Sequence, residues 1–181
     1  MKYILFSFLM LLSLPTFAAP KPKVAKVEVY KYQRVMELVG TNGKVIKRYQ
    51  ISLGLSPVGH KYKEGDNRTP VGSYILDYKN ENSKFYKSIH VSYPNATDIA
   101  RAKKNKVNPG GDIMIHGLPN NTRAYTAFLE SVGLAGLADD VIRAALPFLD
   151  WTQGCIAVTN ENMEEIYDLV DTPTPINIYH F

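Results

Sequence analysis

Cys155 is the only cysteine in the chain and sits in Trp151-Thr152-Gln153-Gly154-Cys155-Ile156-Ala157-Val158-Thr159-Asn160. In an exported protein a lone thiol has no internal disulfide partner, so it is a buried small hydrophobe, an intermolecular link or a reactive nucleophile. A thiol with an ordinary pKa near ~8.5 is only partly ionised at neutral pH. A histidine within hydrogen-bond reach can generate the thiolate and later protonate a leaving amine. His116 is the candidate base; it ends the apolar run Ile113-Met114-Ile115 and is followed by Gly117. Attack of Cys155 on an amide or ester carbonyl would develop an oxyanion and leave a thioester. Gly154 lets the backbone approach substrate closely, and the amides around Gly154 and Cys155 are the candidate oxyanion donors.

His116 and Cys155 lie 39 positions apart, so only the fold can bring them together. A histidine ending one strand and a cysteine starting the next element meet at one sheet rim if the strands are neighbours, with residues 118–150 looping out between them. The first half of the chain reads as antiparallel β. Lys26 to Tyr30 alternates, Lys31 to Arg34 is a polar turn, and Val35 to Val39 resumes the strand. Asn42-Gly43 then joins Val35–Val39 to Val45–Ile51 as a hairpin, since both turn residues tolerate positive φ. Gly54 to Pro70 is a Gly/Pro/Asp/Asn-rich loop, followed by strands at Gly72–Tyr78 and Ser88–Tyr93. Ala96 to Lys104 is an expected helix capped by Asn95, and Asn108-Pro109-Gly110-Gly111 turns the chain into the histidine strand.

Residues 122–149 read as helical: Tyr125, Phe128, Leu129 and Val132 recur at helix spacing, and Asp139 is placed to cap a second helix through Leu146. After the cysteine, Asn160 is placed to cap a helix with the apolar stripe Met163, Ile166, Tyr167 and Val170, and Ile176–Tyr179 closes the sheet. The class is mostly β, a β-rich α+β fold with a few helices.

Lys2 followed by the apolar run Ile4 to Leu14 and small residues through Ala18 reads as a signal peptide over residues 1–18, too short to span a bilayer. Residues 19–181 then make one expected exported domain, without a stable membrane anchor. With 45% hydrophobic and 21% charged residues the chain can bury a core. A net charge of +4 and dispersed lysines argue against a nucleic-acid partner and are compatible with an acidic polymer outside the cytoplasm.

Three segments in order, Glu64-Gly65-Asp66-Asn67-Arg68-Thr69-Pro70-Val71-Gly72, Gly110-Gly111-Asp112-Ile113-Met114-Ile115-His116-Gly117 and Thr152 to Asn160, resemble the L,D-transpeptidase catalytic domain family of YkuD type. The resemblance implies a β-sandwich with a helical insertion over about 122–149 and a helix after the cysteine. It implies the bacterial periplasm as compartment, peptidoglycan stem peptides as substrate, Cys155 as nucleophile and His116 as proton donor and acceptor. Gly154, Gly117, Gln153 and Thr152 then form the oxyanion and substrate-binding set. It further implies carbapenems as inhibitors, a wall-linked lipoprotein as a second partner class, and no cofactor. Gln153 stands where the family usually carries histidine and Ala157 where it often carries arginine, and the histidine-to-cysteine spacing is longer than usual. The longer segment is therefore a lid over the cleft or extra scaffold.

The alternatives within this reading are a hydrolase trimming stems or releasing a wall-linked lipoprotein, and a wall-binding module without turnover. Retention of both Cys155 and His116 argues against the last. His60 and His90 could touch substrate but are more simply surface or loop polarity, and His180 is terminal. Four histidines with one cysteine and no close ligand pair give no metal signature. Arg101, Lys103, Lys104 and Lys106 read as a solvated face, and Trp151 as a packing residue.

Overall fold

The computed structural model describes residues 21–122 and 126–181. The expected signal peptide and Tyr125 of the expected helix lie outside the described residues. Eight strands, β1 (Val24–Tyr30), β2 (Val35–Gly40), β3 (Val45–Gln50), β4 (Gly72–Ser83), β5 (Tyr86–Val91), β6 (Met114–His116), β7 (Ile156–Ala157) and β8 (Thr174–Tyr179), form one sheet ordered β3-β2-β1-β8-β4-β5-β6-β7. Four helices accompany it: α1 (Ala96–Lys104), α2 (Thr126–Ser131), α3 (Asp139–Ala145) and α4 (Asn160–Leu169), with a 3-10 turn at Leu146–Phe148.

The expected sandwich is realised as a single sheet that curls until its edges meet. The chain leaving β3 pairs with β7 through reciprocal bonds, Ser52 N–H to the Ala157 carbonyl at 2.8 Å and Ala157 N–H to the Ser52 carbonyl at 2.9 Å. It then grips the turn before β7: Thr152 N–H donates to the Leu53 carbonyl and Leu55 N–H to the Thr152 carbonyl. Closure removes two strand edges that would otherwise present unpaired backbone. The core inside the curl is lined by Val27, Met36, Leu76, Ile89, Ile115 and Ile156 together with Met163 and Ile166 of α4.

Local signals act as expected at several points. Asn95 and Asp98 make a reciprocal capping box at the start of α1. In the β2–β3 hairpin only Gly43 takes a positive φ, 74°; its N–H bonds back to the Gly40 carbonyl, so the connection is a turn with a glycine bulge rather than a two-residue turn. β4 runs on to Ser83, beyond the expected Tyr78, and β5 begins at Tyr86, before the expected Ser88. The polar stretch Lys79–Ser83 has no strand signature, and pairing with β5 alone makes it extended. β8 lies in mid-sheet, parallel to β1 and antiparallel to β4.

The helical stretch builds a second, smaller core in which Leu118, Leu129, Ile142 and Leu146 pack with Trp151 and Ala157. It packs beside β7 through Trp151 and Ala157. Asp139 begins α3, but the N-cap is Ala138 and makes no side-chain cap bond; the Asp139 carboxylate pairs with Arg143 one turn on and accepts from the Thr122 hydroxyl. α4 is capped by Thr159, whose hydroxyl accepts Asn162 N–H at 3.2 Å, and not by Asn160.

Candidate active site

β6 and β7 run parallel with Ile115 opposite Ile156 and His116 opposite Ala157. Strand side chains alternate between faces. Ile115 and Ile156 point into the main core, so His116 and Cys155 share the opposite face as diagonal neighbours. Both line a cavity of about 380 Å³ whose wall also includes Lys61, Phe85, Trp151 and Gln153. The two residues that could not meet in sequence are thus delivered to one rim by sheet register.

The His116 imidazole is fixed in one tautomer. His116 Nδ1 lies 2.7 Å from the Gly117 carbonyl. A carbonyl only accepts, so Nδ1 carries the proton and Nε2 is left with its lone pair. Phe85 and Trp151 flank the ring at centroid distances of 4.3 and 5.6 Å. This complete burial pushes the imidazole pKa down to about 4. His116 is accordingly neutral across the physiological range.

The same peptide unit that holds Nδ1 is held in turn by Asn160. The Leu118 N–H, which shares a peptide plane with the Gly117 carbonyl, donates to Asn160 Oδ1 at 2.8 Å. Gly117 leaves the room for this: a Cβ there would sit 2.7 Å from Asn160 Oδ1 and 2.9 Å from Tyr86 Cβ. Gly117, expected from the sequence in the oxyanion and substrate-binding set, is buried and is not among the residues that line the cavity.

The Cys155 thiol makes two long contacts, accepting Met114 N–H at 3.4 Å and donating to the Asp112 carbonyl at 3.5 Å. No hydrogen bond joins it to His116 among the described residues. Part of the residue is exposed, but the sulfur is deep enough that burial pushes its pKa up to about 11, against the lowering pull of the Met114 amide and the Lys61 charge. The resting pair is a neutral thiol beside a neutral imidazole.

The turn carrying the thiol is locked from within. The Thr152 hydroxyl donates to the Cys155 carbonyl at 2.8 Å and accepts Gly154 N–H at 3.1 Å. The Gly154 amide, an expected oxyanion donor, thus bonds to the Thr152 hydroxyl, and Thr152 itself lines the cavity. Gly154 has φ of 130°, and a Cβ there would lie 2.7 Å from the Arg68 carbonyl. Gln153 is exposed at the cavity wall.

The first motif builds the facing wall. Asp66 accepts backbone N–H groups of Tyr62, Lys63 and Arg68 at 2.6, 3.0 and 3.1 Å and pairs with Lys61 at 2.9 Å. These bonds hold its carboxyl at a pKa of about 2, against the opposing effect of burial. His60 is tied to Val71 N–H, Asp98 and Arg101, and His90 to Asp77 over a stacked Tyr78; neither lines the cavity. Arg101 pairs with Asp98 and is a network member, not part of a free basic face. Sequence reading missed Lys61, Phe85 and the role of Asn160. Only Asn160 carried a signal, as the last residue of the cysteine motif. Among the described residues no group of three His, Cys, Asp or Glu side chains gathers as a metal ion would need.

A β-rich fold that presents a thiol and a tautomer-locked imidazole on one sheet face has the layout of acyl-transfer chemistry. The chain belongs to the L,D-transpeptidase catalytic domain family (YkuD), which matches residues 25–178. It is 25% identical over 150 residues to the "Putative L,D-transpeptidase YafK" of Escherichia coli K12, covering 80% of this chain and 46% of that protein. The crystal structure of the helical cell shape determining protein Pgp2 from Campylobacter jejuni superposes with a TM-score of 0.58 at 26% identity, over 86% of this chain and 47% of Pgp2. The L,D-transpeptidase of Xylanimonas cellulosilytica shares the fold, with a TM-score of 0.51 at 15% identity over 90% of this chain and 65% of that one. The chain spans about half the length of YafK and of Pgp2.

Proposed function

We propose that this chain is a periplasmic L,D-transpeptidase that cleaves the bond between the third and fourth residues of a peptidoglycan tetrapeptide stem and passes the acyl group to an amine. The single observation that carries this reading is the diagonal placement of Cys155 and His116 over one cavity, with Nδ1 locked and Nε2 free. As the sulfur attacks the carbonyl carbon, its proton passes to His116 Nε2. The carbon–nitrogen bond then breaks, the leaving amine takes that proton, and an acyl thioester remains. The acceptor amine attacks the thioester, its proton returns through His116, and the thiol is regenerated. Because both groups rest neutral, proton transfer accompanies attack, after the thiol turns from the Asp112 carbonyl toward the imidazole. With the Gly154 amide committed to Thr152, the Cys155 amide is assigned as the oxyanion donor of this turn.

Family membership and the relatives named for L,D-transpeptidation and cell shape support a cell-wall substrate. The apolar run near the N-terminus supports export, and no helix among the described residues is long and apolar enough to cross a membrane. A second reading takes water as the acceptor. Ala157 is buried in the second core, so that position offers no cation to hold an acceptor stem, which favours hydrolysis.

The test incubates protein beginning at Ala19, beside Cys155→Ala, with muropeptides bearing tetrapeptide stems and resolves the products by liquid chromatography and mass spectrometry. Dimers joined through two third-position residues establish transpeptidation, and shortened monomers alone establish hydrolysis. A lipoprotein-linked muropeptide assayed in parallel reports release of the linked protein. Absence of every Cys155-dependent product overturns the catalytic reading.

A further inference from the structure

Lys61 is a buried lysine, 3% exposed, in the wall of the cavity that holds Cys155 and His116. Among the described residues it is the single cation lining that cavity; the other charged lining residues are Glu64 and Asp112, and His116 is neutral. An ammonium has three N–H donors. Two are in use: one on Asp66 Oδ1 at 2.9 Å, the other on the Lys63 carbonyl at a weak 3.3 Å. Asp66 in turn has three backbone N–H donors besides Lys61, so its negative charge is spread over fixed dipoles and the lysine keeps capacity for a further acceptor. Lys61 shares the cavity wall with Cys155, and its charge works against the burial that raises the thiol pKa.

We propose that Lys61 binds the free α-carboxylate of the residue that leaves when Cys155 is acylated. The inference rests on the reading that Cys155 takes its acyl group from a stem peptide and deepens it by naming which stems qualify. In a C-terminal residue the carboxylate carbon is two bonds from the leaving nitrogen, so a group that holds it also places the scissile carbonyl near the thiol. Glu64 and Asp112 repel the same carboxylate and steer it toward Lys61. A fixed cation on a hydrogen-bonded loop is pre-organised for this contact, whereas a stem extended by one more residue has an amide there and would leave Lys61 unanswered. A D-amino-acid acceptor carries the same amine and carboxylate on one carbon and would use the same contact in the second half-reaction.

The test measures binding to Cys155→Ala, which cannot turn over. The ligand is a tetrapeptide stem as its free acid or as its C-terminal amide, each titrated calorimetrically against protein with Lys61 intact and against Cys155→Ala carrying Lys61→Met. The free acid binds the Lys61 protein roughly tenfold or more tightly than the amide, and Lys61→Met brings this preference below about twofold. Lys61→Arg, which keeps the charge, retains it and serves if Lys61→Met does not fold. Equal affinity for acid and amide with Lys61 present, an unchanged preference in Lys61→Met, or no binding of the acid overturns the proposal. An acid preference that depends on Lys61 in a protein whose wild type makes no product would sink the catalytic reading alone.

Discussion

Two of the cavities that open on this molecule differ in what their polar groups have left to give. The larger, about 470 Å³, is lined by Lys31, Arg34, Phe148, Asp150 and Phe181 among others. Its charges are answered internally: Arg34 forks onto Asp150 with a shortest contact of 2.6 Å, and Lys31 donates to the carbonyls of Gly59 and Thr69, both at 2.6 Å. The smaller, about 380 Å³, holds a thiol with contacts of only 3.4 and 3.5 Å, an imidazole with a free Nε2, and a lysine with donor capacity to spare. Volume does not select the reactive site; unspent hydrogen-bonding and nucleophilic capacity does.

The contrast breaks most sharply at the thiol. Cys155→Ala is expected to abolish product formation and to remove the intact-mass increase produced by a carbapenem, while leaving the larger cavity unchanged. A carbapenem adduct that persists in the variant would place the nucleophile elsewhere. His116→Ala comes next, with an expected fall of ~10²–10⁴-fold in the acylation rate followed by stopped-flow absorbance of the carbapenem. A rate within a few-fold of wild type would mean that the imidazole is structural only.

Burial of that imidazole also has a thermodynamic signature. The folded pKa of about 4 lies below the ordinary 6.5, so between those values the unfolded chain binds the proton and the folded chain does not. Stability therefore falls as pH drops from 6.5 to about 4, by on the order of 3 kcal/mol from this group. Chemical denaturation of wild type and His116→Gln across that window should show a shallower acid loss in the variant. His60, whose pKa burial also lowers, is present in both proteins and cancels in the difference. Parallel curves would show that His116 is not buried neutral.

Much of the frame was legible in the sequence because it is encoded locally. The alternating segments became β1 to β3, the Asn95 cap and Asp98 opened α1, and the apolar run ending in His116 became β6. Residue type and the three ordered motifs singled out Cys155 and His116 as candidates, and the fold places both in one cavity wall. What sequence could not give were relations made by the curl of the sheet. Asn160 has the chemistry of a helix cap, yet Thr159 takes that task and frees Asn160 to hold the Leu118 amide. Gly154 was chosen for its amide, which Thr152 consumes from two residues away. Lys61 looked like one dispersed lysine among many, and only the Asp66 loop turns it inward. Phe85 reaches His116 because β4 outruns its own propensity.

Asn160 tests how far the reactive cavity depends on support behind it. Asn160→Ala should lower kcat by roughly tenfold, since it frees the peptide whose carbonyl fixes the His116 tautomer, and positioning losses of this kind propagate into rate. Asn160→Asp keeps an acceptor oxygen and should recover most of that loss. A merely structural role would show as a lower melting temperature with unchanged kcat per folded molecule and no rescue by aspartate.

The smallest effect on turnover is expected at the other buried lysine, and it completes the comparison. Lys31 is as buried as Lys61, at 2% exposure, but it faces the cavity without a nucleophile. Burial, with Arg34 and Arg68 adding to it, pushes its pKa down to about 8, and its donors go to two backbone carbonyls. Lys31→Met leaves the Gly59 and Thr69 carbonyls without their donor, at a cost of about 1–3 kcal/mol, partly offset because a charge no longer has to be buried. Turnover per folded molecule should stay within about twofold of wild type below the melting transition, because no substrate atom meets Lys31. A selective loss of turnover in Lys31→Met, with Lys61→Met unaffected, would reverse the assignment of the two cavities.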